Sequence, residues 1–203
     1  MALSREVITD GLFDEMGRFE DLLRSLSPEE WAMPSRCEGW TVGDVARHAI
    51  GSITDVVAGR FDGLGTPEVT KREVDERAGR SASEMADECA EAAKGAAGLL
   101  AVFDDAAWDG PAPGGYDGSI GRGVEAFWYD FWLHGHDITA SIGRRVPVGP
   151  SVLAGVSHLE FELGKRGFHG KAPASADDQL AWALVATGRA PQVDGGPPNV
   201  YAD

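Results

Sequence analysis

Asp130 and His134 stand four residues apart in the run Asp130-Phe-Trp-Leu-His134, so on a helix a carboxylate and an imidazole lie one turn apart and point the same way. Phe127, Phe131 and Ile138 put that pair on or beside an apolar stripe, where a carboxylate is costly unless it is paired or bound to a metal. His48 lies on the apolar stripe of an earlier helix and can supply a third ligand, since helix bundles build metal sites from inward carboxylates and imidazoles on facing helices. The spacing leaves two readings open. Either Asp130 and His134 are a hydrogen-bonded pair near a core histidine, or all three residues hold one divalent ion. Two imidazoles and one carboxylate form a borderline donor set, which suits Zn²⁺ first and Ni²⁺ or Fe²⁺ as alternatives.

The neighbouring candidates sort by geometry. His136 makes a His-x-His pair with His134, but positions two apart on a helix face about 200 degrees away from each other, so His136 is expected at the surface or an interface. Asp137 shares a face with His134 and is expected to support the site, serving His48 or the Trp40 loop. Tyr129 points about 100 degrees away from Asp130, Arg47 and Arg122 are candidates for anion binding only by helix proximity, and His158 and His169 are expected in solvent. No residue stands out as a general acid or base.

Four long helices must position these groups. Over residues 4–26, Ile8, Leu12, Met16, Phe19 and Leu23 recur at steps of three and four, an amphipathic pattern. Ser27-Pro28-Glu29-Glu30 starts a short helical turn, and 33–40 is a loop by its Pro, Ser and Gly content. Thr41 and Asp44 form a capping box that starts the second helix and so sets where His48 falls two turns later; Trp40 and Thr41 are expected to shape the mouth of the site. A charged stretch, 67–80, is expected to connect to a third helix over 83–103, residues 104–118 to form a loop, and 120–142 to form the fourth helix, with Gly143 as its C-cap. Shorter helices follow over 151–165 and 175–187. The fold class expected is all-α, an antiparallel four-helix bundle over 1–145 with a helical C-terminal extension over 146–203 packed on it. The fourth helix carries more aromatic surface than one seam needs, so a substrate pocket is expected between it and the residues after Pro150, lined partly by Phe127, Phe131 and Trp132.

Bulk properties narrow the partners. Lys and Arg total 18 against 33 Asp and Glu, and the net charge of −15 repels phosphate backbones and anionic lipid, so no nucleic acid is expected. No apolar run reaches the roughly 18 residues a membrane helix needs, and the first ten residues lack the apolar core of a secretion signal; a cytoplasmic protein with no membrane partner is expected. Cys37 and Cys89 belong to no metal-spaced pattern and are expected as free thiols, with no nucleophilic role assigned to Cys37.

Three segments together resemble one family. The run from Trp31 through Arg36-Cys37-Glu-Gly-Trp40-Thr41 to His48, the run His134-Gly-His136-Asp137-Ile-Thr-Ala-Ser-Ile-Gly143, and Ala186-Thr-Gly-Arg189-Ala-Pro191 are similar to the mycothiol-dependent maleylpyruvate isomerase family of the DinB-like superfamily, over about residues 5–192. The resemblance implies a DinB-like bundle in which His48, Asp130 and His134 hold one divalent metal. It also implies mycothiol as a thiol cosubstrate and a small electrophilic substrate, in a transferase or an isomerase. The founding isomerase type has Glu at the carboxylate position, where Asp130 is one methylene shorter; where relatives carry an aromatic after His-Gly, this chain has His136. A non-catalytic bundle that binds metal or sequesters a small molecule is the alternative, because one fold hosts many functions. A homodimer is also allowed.

Overall fold

The computed structural model describes residues 3–144 and 149–202. All regular elements among them are helices: α1 (Arg5–Arg24), α2 (Pro28–Trp31), α3 (Val42–Val57), α4 (Pro67–Asp75), α5 (Ala82–Leu100), α6 (Asp105–Asp109), α7 (Ile120–Ser141), α8 (Val152–Lys165) and α9 (Ala176–Ala186). The all-α expectation stands, and none of these helices is long and apolar enough to cross a membrane. The expected boundary at 145/146 lies outside the described residues.

The bundle consists of α1, α3, α5 and α7. Helix α1 packs against α7 and α5, and α3 against the same two, so α1 and α3 sit on one diagonal and α5 and α7 on the other. Helix α1 turns Ile8, Leu12, Met16, Phe19 and Leu23 inward, all nearly devoid of solvent exposure, as its three-four spacing requires. Phe19 meets Phe131 of α7 edge to face, with ring centroids 5.1 Å apart. Helix α5 presents Ala86, Cys89, Ala92 and Ala96 to the core, and such small side chains allow close helix approach. Helix α8 covers α7, and α9 covers α8.

Two connections differ from expectation. The stretch read as a charged connection folds as α4, capped by Thr66, whose hydroxyl accepts from the Val69 N–H, and opened by Pro67. Its sequence, Pro-Glu-Val-Thr-Lys-Arg-Glu-Val-Asp, has almost no apolar stripe, so periodicity does not reveal it; it packs on α3 through ion pairs and one inward carboxylate. The loop over 104–118 contains the short helix α6, which buries Trp108 against α7.

The start of α3 follows the expected chemistry. The Thr41 hydroxyl accepts from the Asp44 N–H at 3.2 Å, and the Asp44 carboxylate accepts from the Thr41 N–H at 3.0 Å. The preceding loop folds back on itself: the Ser35 N–H donates to the Trp40 carbonyl, and the Val42 N–H to the Met33 carbonyl. Gly39 takes φ +80° at its tip, a conformation that favours glycine. The turn delivers Cys37 to Asp137 of α7 and Trp40 to His48 of α3.

Candidate metal centre

His48, Asp130 and His134 come together from α3 and α7. One donor atom of each lies within 4.8 Å of the other two. His134 Nε2 is 3.3 Å from Asp130 Oδ1, and the His48 and His134 rings meet edge to face with centroids 5.2 Å apart. Two donors of a tetrahedral ion with bonds of about 2.0–2.1 Å stand about 3.3 Å apart, so the Asp130–His134 spacing already equals one edge of such a site.

Each histidine has its other ring nitrogen held by a carboxylate. His48 Nδ1 is 2.8 Å from Glu73 Oε2 of α4, and Glu73 is fully buried, with the Ser52 hydroxyl donating to both of its oxygens at 3.1 and 3.2 Å. His134 Nδ1 is 3.2 Å from Asp137 Oδ2, and Asp137 is fully buried too. Metal-ligating histidines usually show this carboxylate contact, because it fixes ring orientation and leaves Nε2 for the ion. The Asp137 carboxylate is gripped in turn by Arg189, whose Nε donates to Oδ1 at 2.7 Å and Nη2 to Oδ2 at 2.6 Å, and the Cys37 thiol reaches Oδ2 at 3.5 Å.

Titration follows from these contacts. Burial works against a charged His134 ring, yet the Asp130 charge and the hydrogen bonds to Asp130, Asp137 and Cys37 hold its pKa well above the usual histidine value. Burial would raise Asp130, but the adjacent His134 keeps it below the usual carboxylate value. Asp137 lies far below that range; Arg189 and His134 outweigh its burial. Both shifts favour a charged His134 beside a charged Asp130, with donor atoms spaced so that a metal could take the place of the proton between them.

The profile for the mycothiol maleylpyruvate isomerase N-terminal domain matches residues 12–139, which include all three ligand candidates. The chain belongs to this maleylpyruvate isomerase N-terminal domain family. Two solved structures share its helical, DinB-like fold: mycothiol-dependent maleylpyruvate isomerase at a TM-score of 0.59, and a histidine-to-alanine mutant of mycothiol-dependent maleylpyruvate isomerase at 0.58. In each case identity is 16%, covering 79% of this chain and 70% of the other. No curated protein matches the chain in sequence.

Within this maleylpyruvate isomerase family fold, several sequence expectations need correction. Asp137 meets the Trp40 loop as expected, through the Cys37 thiol, but the histidine it holds is His134; His48 rests instead on Glu73, which periodicity does not single out. His136 is 7% exposed, not on the surface; Arg36 Nη1 lies 3.3 Å from its Nδ1, and burial with the Arg36 charge lowers its pKa. His158 is also buried, stacked on Tyr129 with ring centroids 4.5 Å apart, whereas His169 is exposed as expected. Arg47 is spent on Asp44, the Arg80 carbonyl and the Trp31 ring, and Arg122 on Glu125 and the Phe161 ring, so neither is the expected anion site. Cys37 and Cys89 are free thiols, and Cys89 is sealed in the core, where burial pushes its pKa up to about 12. Trp40 does reach the site, with its ring edge to face against His48 at 5.3 Å.

Two of the ligand candidates, His48 and Asp130, open onto a cavity of about 980 Å³. It runs among α1, α3, α5, α7 and the loop 111–117, and residues after Pro150, from α8 and near Tyr201, line it against α7 as expected, although it reaches deeper into the bundle than that cleft. Phe127 lines it as expected. Phe131 and Trp132 do not; Phe131 is core against Phe19, and Trp132 packs on Gly155. Asp130 keeps 27% of its side-chain exposure because it faces this space.

Proposed function

We propose that this chain is a metal-dependent enzyme that joins a low-molecular-weight thiol, mycothiol by family membership, to a small electrophilic substrate, as a transferase or an isomerase. The observation that carries the reading is the arrangement of His48, Asp130 and His134: three donor atoms within 4.8 Å of one another, beside a cavity of about 980 Å³, with both histidines oriented by buried carboxylates. An orphan pair of core histidines would need no such support, and the cavity has the volume of a small-molecule site. His48, Asp130 and His134 would hold the ion, Zn²⁺ by donor type, and a divalent ion there would let a thiol lose its proton near neutral pH.

The protein's own groups divide the remaining work. Glu73 and Asp137 hold the imidazoles, and Arg189 holds Asp137. Trp40 walls one side of His48. The apolar cavity wall keeps water from the reacting carbon and receives the electrophile.

Elemental analysis of the purified protein should find about one divalent ion per chain, and the His48→Ala, His134→Ala double variant should find almost none. Incubation of the metal-loaded protein with mycothiol and a panel of electrophiles should consume thiol. Metal retention by the double variant would overturn the ligand set; metal binding with no thiol consumption would favour the sequestering bundle.

A further inference from the structure

The cavity beside the candidate metal centre is apolar almost throughout, with Leu12, Ile53, Leu99, Phe103, Val124 and Phe127 on its walls. Its own charged side chains, with no ion at the metal centre, do not suit a dicarboxylate such as maleylpyruvate. Three carboxylates, Asp117, Asp130 and Glu162, line it against two cations. Lys165 is tied to Glu162 at 2.9 Å and to Asp117 at 3.7 Å, and Arg166 lies exposed at the mouth, where solvent screens it. In the metal-free chain, a dianion placed against these walls would lose its hydration without gaining a buried cation in exchange.

Two sealed polar atoms on the wall have no hydrogen-bond partner among the described residues: Glu162 Oε1, which lies 2.9 Å from Lys165 Nζ, and His158 Nδ1, which has no charged neighbour at that distance. His158 of α8 is 8% exposed, lines the cavity and stacks on Tyr129. Its Nδ1 is sealed in the wall with no hydrogen-bond partner among the described residues. Sealed N–H groups without a partner are rarer than sealed acceptors, so the neutral ring is best accommodated with its proton on Nε2. That tautomer leaves Nε2–H as the atom that can donate to a guest.

We propose that the cavity binds an uncharged, mainly apolar compound that carries one carbonyl acceptor, and that His158 is the hydrogen-bond donor that anchors it. The inference rests on the proposed function for what the guest is used for, namely as the electrophile. Binding itself needs neither metal nor thiol.

The test uses the full chain, metal-free, in calorimetric titrations with three probes. 1-Tetralone is uncharged with one carbonyl, tetralin has the same rings without it, and maleate is a small dianion. 1-Tetralone should bind best, tetralin roughly 3- to 10-fold more weakly, and maleate below detection. His158→Phe keeps an aromatic ring against Tyr129 and should bring 1-tetralone down to the tetralin level while leaving tetralin unchanged. Leu99→Trp fills the wall away from the ligand candidates and should remove binding of both bicyclic probes. Maleate binding as tightly as 1-tetralone, equal affinity for the two bicyclic probes, or full binding by Leu99→Trp would each overturn the proposal, even if His158→Phe failed to fold. Thiol consumption with dianionic electrophiles alone would overturn this pocket assignment while leaving the enzyme reading intact.

Discussion

Asp137 bridges His134 and Arg189: its Oδ2 lies 3.2 Å from His134 Nδ1 and 2.6 Å from Arg189 Nη2. The orientation of His134 on α7 thus depends on a residue 52 positions beyond Asp137, after α9. Asp137→Asn keeps the shape but weakens both contacts, and should lower metal affinity about 10- to 100-fold without abolishing it. Arg189→Ala strands a buried carboxylate and should destabilise the fold by about 3–5 kcal/mol. Metal titration and urea unfolding of the two variants measure these effects separately. Complete loss of metal in a folded Asp137→Asn variant would make Asp137 a ligand in its own right.

The clustering of His48, Asp130 and His134 is legible in sequence because all three fall on strongly periodic helices, where the three-four rule fixes the inward face; the spacing does not separate a metal site from a hydrogen-bonded pair near a core histidine, and only the family resemblance points to ligands. Their supports are less so. Glu73 sits on a helix whose residues are mostly charged, and nothing in its spacing marks it as the single carboxylate that points inward. Arg189 lies beyond the last helix, and a contact spanning 52 residues has no local signature. The burial of His158 did have a signal. It follows Ala154 and Gly155 by four and three positions, so it shares their buried face of α8.

Metal binding should release a proton. The raised pKa of His134 means that the ring is still protonated near neutrality, and that proton must leave before Nε2 can bind an ion. Apparent affinity should therefore fall as pH falls, and each ion bound at pH 7 should release about one proton. Calorimetry in buffers of different ionisation enthalpy reads the number directly. A value near zero would mean that His134 and Asp130 are not a proton-bound pair in the free protein.

His158 should make the metal-free fold acid-sensitive. Burial is the largest influence on it and pulls its pKa from the usual 6.5 down to about 4, against the opposing pull of Asp130. Between those values the unfolded chain takes up a proton that the folded chain refuses. Stability should then be intact above about pH 6.5 and decline as pH drops toward 4, by up to about 3 kcal/mol. Urea unfolding at pH 7.5, 6 and 5 should show a steeper acid loss in the wild type than in His158→Phe. Parallel losses would assign the acid sensitivity to other groups.

Gly51 provides the most local test of how packing sets the candidate site. A Cβ added there would stand 2.6 Å from the Glu73 Cβ and 2.9 Å from its Cγ, so α3 and α4 can meet at this depth only because position 51 has no side chain. In an exposed helix interior, Gly→Ala should stabilise by roughly 0.5–1 kcal/mol through backbone entropy. Here the obstructing atom is next to the α4 backbone, not at the end of a flexible side chain, so the clash can be relieved only by moving α4 outward. That movement draws Glu73 away from His48 Nδ1 and from the Ser52 hydroxyl, which leaves the His48 ring free to turn. Gly51→Ala should therefore lose stability despite its better helix propensity, and its metal affinity should fall about 10-fold or more, as expected for a lost carboxylate support. Glu73→Gln in the same background should add little further loss, because both changes act on one contact. Wild-type metal affinity in Gly51→Ala would show that His48 is positioned by its own helix and owes nothing to α4.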